Sequence, residues 1–178
     1  MTIMDLKEFI RSIPDYPKKG ILFRDITTLI KDENAFSETI NQIVERSKKF
    51  KFEKIAAIES RGFVFASAVS YVLKKPFIML RKKNKLPSDV HSVNFELEYG
   101  TATIEVHKDS INNNENVLII DDLIATGGTA EAAAKLVETS AGKVAAFIFV
   151  INLFDLSGSD NLIKKGYKVE NLIEFPGH

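Results

Sequence analysis

The chain has 178 residues, 45% hydrophobic and 27% charged, which suits one globular domain with a substantial core. Lysine plus arginine and aspartate plus glutamate both total 24, so the formal net charge is zero, and this argues against a protein built to coat nucleic acid or a membrane surface. Cysteine is absent, which excludes disulfide scaffolds, thiolate metal sites and cysteine nucleophiles.

At the N-terminus, Thr2 or Asp5 is suited to cap a short helix running through Ile10, with Leu6, Phe9, Ile10 and Ile13 on one face. Pro14, Pro17 and Gly20 break it. The amphipathic, acid-containing start does not read as a signal peptide, and no apolar run approaches membrane-spanning length. The expected compartment is the cytosol. Residues 21–30 read as a strand or loop leading to a helix, and 35–50 show helical spacing at Phe36, Ile40, Ile43 and Val44.

A β/α alternation follows. It places strands at 54–58 and 77–80 around a helix at 62–73, then a polar basic loop over 82–93. Phe95, Leu97 and Tyr99, and then Ala102, Ile104 and Val106, alternate with polar residues, which predicts two antiparallel strands. Residues 117–120 form a buried strand, 129–140 an alanine-rich helix, 144–153 a strand, and 169–173 a last strand after a short helix ending at 162–166. The pattern predicts an α/β fold with a mostly parallel sheet covered by helices on both faces. Ligands of such sheets sit beyond the carboxyl ends of the strands. His91, His107 and His178 are scattered, and none has metal-ligand spacing.

The segment VLIIDDLIATGGT carries the most chemistry. A strand apolar on both faces, residues 117–120, is followed at its tip by Asp121 and Asp122. Ala125, Thr126, Gly127, Gly128 and Thr129 then run into a helix. Glycine permits positive φ, and successive N–H groups in such a turn converge on an anion. The following helix N-terminus adds unpaired N–H groups and the positive end of its dipole. A phosphate monoester fits without any lysine. The two carboxylates would repel that phosphate, so they suit a different part of the ligand, and a ribose diol is the natural partner. The plainer alternative is a strand–turn–helix with aspartate as a cap. This segment resembles the thirteen-residue signature of type I phosphoribosyltransferases, which implies that Asp121 and Asp122 hold the ribose hydroxyls of phosphoribosyl diphosphate and that residues 125–129 hold its 5′-phosphate.

Displacing diphosphate from a ribosyl carbon passes through an oxocarbenium-like state, and negative charge grows on the leaving group. Two segments offer cations: ESRGF, with Arg61, and RKKNK, with Arg81, Lys82 and Lys85. Taken alone, a basic loop is usually a solvated surface. Beyond these, PDYPKKGILFRDITTLIKD, ESRGF, RKKNKLP and LEYG occur in the order found in adenine phosphoribosyltransferases, a resemblance covering residues 12–129 and weaker beyond Leu153.

That resemblance implies a hood (residues 1–34) on a core (35–178) whose lid loop spans 82–103. It implies adenine binding by Leu22, Phe23 and Arg24, with Phe23 stacking on the purine and the two neighbouring backbones reading its Watson–Crick edge. On pattern alone Phe23 reads as a core residue. Diphosphate falls to Glu59, Ser60, Arg61, Arg81, Lys82 and Lys85, one of the basic residues reaching a neighbouring subunit, with a cis peptide at Glu59–Ser60. Glu98 becomes a general acid or base at purine N7, where alternation alone gives a solvated carboxylate, and Tyr99 helps close the lid. Mg²⁺, held mainly by substrate phosphates, and a homodimer are further implications. Ala66, Ser88 and Phe95 depart from the family pattern, which makes residues 88–94 an unusual lid. The same chemistry on another base, or a non-catalytic phosphoribosyl-diphosphate sensor, remains the alternative.

Overall fold

In the computed structural model, residues 4–97 and 100–177 are described. Asp5 caps a 3-10 turn, Leu6–Phe9, accepting a hydrogen bond from Lys7 N at 3.0 Å. The helix expected through Ile10 with Ile13 on its face stops there. Residues Arg11–Pro14 (β1) instead pair antiparallel with Leu22–Asp25 (β2) as a separate small sheet. Pro14 biases Ile13 towards extended backbone, and β2 supplies the hydrogen bonds that a broken helix could not.

Thr27–Ile30 (α1) leads into Glu33–Ser47 (α2). Asp32 caps α2 by accepting from Asn34 N at 3.1 Å and Ala35 N at 2.9 Å. α2 therefore starts earlier than the apolar spacing predicts. It also ends earlier, because Lys48 and Lys49 close tighter turns onto Glu45 and Arg46.

The main sheet has seven strands. They are Lys54–Ile58 (β3), Phe77–Lys82 (β4), Val90–Leu97 (β5), Gly100–His107 (β6), Asn116–Ile124 (β7), Lys143–Leu153 (β8) and Val169–Phe175 (β9), in the spatial order β5-β6-β4-β3-β7-β8-β9. From β4 to β9 the neighbours are parallel, and the hairpin β5–β6 joins the β4 edge antiparallel. This is the mostly parallel, helix-covered sheet that the sequence predicts. The basic loop is shorter than 82–93, because pairing of Val90 with His107 and His91 with Val106 extends the hairpin.

Alternation along the central strands sorts the core into two layers. Ile55, Ala57, Leu118, Ile120, Ala146 and Ile148 meet α2 and Gly62–Leu73 (α3). Ala56, Ile58, Val117, Ile119, Phe147 and Phe149 meet Gly128–Thr139 (α4), with Leu162 of Gly158–Lys164 (α5). Strands buried on both faces explain the continuous apolar runs. β3 leads through α3 outward to β4, while β7 leads through α4 the other way to β8. The connections diverge between β3 and β7, so a crevice opens at the carboxyl ends of these two strands.

Candidate active site

β3 and β7 stay paired only as far as Ala57 and Ile120, whereas β7 and β8 continue to Ile124 and Asn152. Asp121 and Asp122 are thus strand residues rather than lying beyond its tip, on a stretch of β7 that β3 no longer flanks. The turn Glu59–Arg61 occupies that side. Together the two segments line a cavity of about 270 Å³, floored by Ile58 and Phe149 and walled by Glu59, Ser60, Arg61 and residues 121–130. Gly127 has φ +92°, which few side-chain-bearing residues adopt, and directly precedes α4. No side chain caps α4, so its first N–H groups are left for an anion at this wall.

The cavity carries an acid pair, Asp122 buried and Asp121 half-buried, with Arg61 beside it. Arg61 Nε lies 2.9 Å from Asp122 Oδ2, although its N–H is not aligned on that oxygen. Asp121 Oδ1 accepts from the backbone N–H of Asp122 at 2.9 Å. Burial pushes both carboxyls above their usual range; the neighbouring Asp122 charge adds to the shift at Asp121, and Arg61 opposes it at Asp122. A Cβ at position 62 would stand 2.7 Å from Asp121 Oδ1 and 3.2 Å from Ile120 O. Glycine at the start of α3 is what lets that carboxylate occupy its place.

The Glu59–Ser60 peptide is cis, as the resemblance implies. Glu59 accepts from Lys82 N at 3.0 Å and from Arg81 Nε at 3.3 Å. The Lys82 N–H and then the Arg81 guanidinium hold its carboxyl below the usual range. Glu59 therefore faces the basic segment, and Arg81 is already engaged, also donating to Lys85 O at 3.2 Å. Lys82 and Lys85 are exposed. Lys82 and Glu59 border a second cavity, of about 400 Å³, shared with Phe95 and Thr129.

The hood meets the pocket through an aromatic ring. The Arg61 guanidinium lies 5.4 Å from the centroid of Phe23, whose other neighbour is the edge-on ring of Tyr16 at 5.1 Å. Phe23 is half-buried, so a face remains for a flat ligand. With only β1 beside it, β2 keeps one open edge, and Leu22 and Arg24, two residues apart, point their backbone groups to the same side. The Arg24 side chain turns away to Ser12 Oγ and Pro176 O. Glu98 and Tyr99 lie outside the described residues. The strand before them packs on α4, and a Cβ at Gly128 would come 3.6 Å from Glu96 O, so the hairpin runs beside the glycine turn.

Comparison with known proteins agrees with this geometry. Residues 27–176 match the phosphoribosyl transferase domain family. An adenine phosphoribosyltransferase from Pelagibacter ubique is 81% identical over 175 residues, covering 98% of this chain and all of that protein. The chain belongs to the adenine phosphoribosyltransferase family. The family's enzyme from Chlorobium phaeobacteroides is 50% identical, over 98% of this chain and 99% of its own length. Among solved structures, adenine phosphoribosyltransferase from Thermoanaerobacter pseudethanolicus superposes with a TM-score of 0.93 at 45% identity, covering 98% of this chain and all of that one. The Saccharomyces cerevisiae enzyme, solved with an imino-altritol bisphosphate and adenine, gives 0.87 at 34% identity over 94% and 96%.

Several residues that shape this family member's site escaped the sequence reading. Gly158 would place a Cβ 2.2 Å from Ala125 O and 2.9 Å from Gly127 N, so the start of α5 lies directly under the glycine turn. Its N–H donates to Ala125 O at 3.0 Å. Buried Glu105 on β6 accepts from Asn84 N at 3.0 Å and Ser92 Oγ at 3.3 Å, tying the basic loop to the hairpin. The local sequence Ser157-Gly158-Ser159-Asp160 suits a turn, but nothing local says which loop it supports.

Proposed function

We propose that this protein transfers the 5-phosphoribosyl group of phosphoribosyl diphosphate to adenine, giving AMP and diphosphate, as a cytoplasmic homodimer using Mg²⁺. The observation that carries the reading is the convergence of the Asp121–Asp122 pair, the glycine turn and Arg61 on one cavity, with Phe23 at its rim. Residues 125–129 take the 5′-phosphate. Asp121 and Asp122 accept from the ribose hydroxyls, and Arg61 meets the diphosphate as negative charge develops on it. Glu59 acts by holding Arg81 and Lys82 in place, and Ser60 lies between it and Arg61. Lys85 belongs to the same basic loop, is exposed there, and adds a third cation for the diphosphate.

Adenine stacks on Phe23 and pairs with the backbones of Leu22 and Arg24 along the open edge of β2. A fixed donor–acceptor pair there rejects 6-oxopurines, which would leave buried groups unpaired. Glu98 exchanges a proton at purine N7, and Tyr99 closes with it over the site. The hood (1–34), core (35–178) and lid (82–103) divide the work accordingly.

Among the described residues no cluster of three or more His, Asp or Glu forms a metal cage. Among the described residues Arg61 is the cation paired with Asp122, so the residual negative charge of the acid pair suits a Mg²⁺ carried in by the diphosphate. When bound, the ion neutralises charge on the leaving group.

Support for the dimer comes from α3. Its Val64, Tyr71 and Val72 are exposed on one side, with Met79 exposed on the same face of the sheet. An apolar strip on a helix leading out of the active site suits a second copy of the chain. No helix among the described residues is long and apolar enough to cross a membrane.

The deciding experiment supplies phosphoribosyl diphosphate and Mg²⁺ with adenine, hypoxanthine, guanine, xanthine or orotate in separate reactions. AMP from adenine is expected. A nucleotide from guanine with none from adenine overturns the reading.

A further inference from the structure

The base-reading strand has to be held at a fixed distance from the ribose-phosphate loop, and β2 belongs to a sheet separate from the one that carries the loop. One side chain spans that gap. The Arg24 side chain is buried, and its guanidinium donates to Ser12 Oγ at 2.5 Å on β1 and to Pro176 O at 2.9 Å beyond β9, while lying 4.5 Å from the centroid of the Phe175 ring. The segment it grips is itself fastened. Gly177 N donates to Asp155 Oδ1 at 2.5 Å, and a Cβ at Gly177 would stand 2.6 Å from Leu156 Cγ, so the tail fits closely against residues 154–156. Two residues later, Gly158 carries the backbone of Ala125 and Gly127.

We infer that the Arg24 guanidinium is a positioning residue for base recognition. Through Pro176, Gly177 and the segment Phe154–Gly158 it sets β2 against the glycine turn, so that base and ribose phosphate are held at one spacing. The role differs from that of the Arg24 backbone, which faces the ligand. It rests on the adenine reading given above.

The geometry has a chemical logic. A guanidinium is planar, keeps its charge and donates in fixed directions, so it locates two acceptors and a ring at once. Lysine would keep the charge but lose the fork. Methionine would fill most of the volume and lose every hydrogen bond.

The test uses the full chain and two probes, AMP and ribose 5-phosphate, titrated by calorimetry, with steady-state KM values for adenine and phosphoribosyl diphosphate alongside. Arg24→Met is expected to weaken AMP binding and raise the adenine KM by about ten- to a hundredfold, the worth of hydrogen bonds to a charged group. Ribose 5-phosphate affinity and the phosphoribosyl-diphosphate KM should stay within about threefold, since a positioning effect of under 1 kcal/mol is all that reaches the loop. Arg24→Lys should fall between. Gly177→Val, which leaves Arg24 intact but forces the tail off Leu156, should reproduce the selective loss. An unchanged adenine KM in both Arg24→Met and Gly177→Val overturns the inference, as does an equal fall in affinity for both probes, which marks a purely structural role. Wild-type protein that binds ribose 5-phosphate but neither AMP nor adenine would instead sink the adenine reading.

Discussion

Single residues at the cavity trade stability for chemistry. Asp121 shows it best: burial and the Asp122 charge raise its folded pKa above the unfolded value. A carboxyl raised in this way stabilises most when protonated, and that contribution is lost as pH rises from about 4 through the folded pKa. The ionised form is therefore a burden to the fold. Asp121→Asn is expected to raise the thermal midpoint at pH 7 by about 2–4 °C, while phosphoribosyl transfer collapses. Differential scanning calorimetry with a turnover assay checks both halves; a lowered midpoint contradicts the electrostatic account. Gly62 makes the complementary case. Gly62→Ala pushes a methyl against Asp121 Oδ1, and a displacement of this kind is expected to cost about a hundredfold in kcat/KM. Far-UV circular dichroism should stay native, because the methyl crowds one carboxylate and one carbonyl, while its contact with the core methyl of Ala57 at 3.4 Å is an ordinary one.

Elements are held by motifs whose purpose the sequence shows only in part. In the hood, FRDITT is organised by Asp25. It accepts from Thr27 N at 2.9 Å, Thr27 Oγ1 at 2.8 Å and Arg11 Nε at 3.0 Å. The Thr27 N–H first, and then the Arg11 pair, lower its carboxyl to about 2. A depressed folded pKa gives stability that is present above the unfolded value, about 3.9, and lost as pH falls towards 2. Amide protection factors over residues 22–30, taken relative to the intrinsic exchange rate at each pH, are thus expected to fall between about pH 4 and 2 while β8 stays protected, and Asp25→Asn should abolish that pH dependence. Protection lost uniformly across hood and β8 would argue against a locally anchored hood. On the opposite side of the cavity, Gly158→Ala meets Ala125 O at 2.2 Å and must displace the glycine turn. Ribose 5-phosphate affinity should fall by about tenfold or more, read by calorimetry.

At the scale of the molecule, the seven-stranded sheet and its hairpin bring residues from widely separated stretches to one rim. The exposed strip on α3 predicts association: Tyr71→Lys with Val64→Asp is expected to shift sedimentation equilibrium from dimer to monomer. An unchanged dimer would place the interface elsewhere. β7 and its glycine turn, β3, α3 and the β5–β6 pairing were all legible beforehand, because apolar runs, period-two alternation and glycine placement are local signals. β1 was not, since Ile10 and Ile13 have helical spacing and only pairing with β2, across the turn, makes Arg11–Pro14 a strand. The same limit hid Gly158 and Pro176, whose partners are distant in the chain.

What the sequence determined by itself was the order of strands and helices, the acid pair, the glycine turn and, through the ordered motifs, the family. Those depend on neighbouring side chains and backbone preferences, which the linear order records. Tertiary structure alone decided that Arg61 faces both Asp122 and Phe23, that Glu59 is spent on Arg81 and Lys82, and that the Arg24 guanidinium grips the tail rather than the ligand. Each of these is a choice between partners that the chain brings together only when β3 and β7 pair side by side and the hood settles on the strand ends.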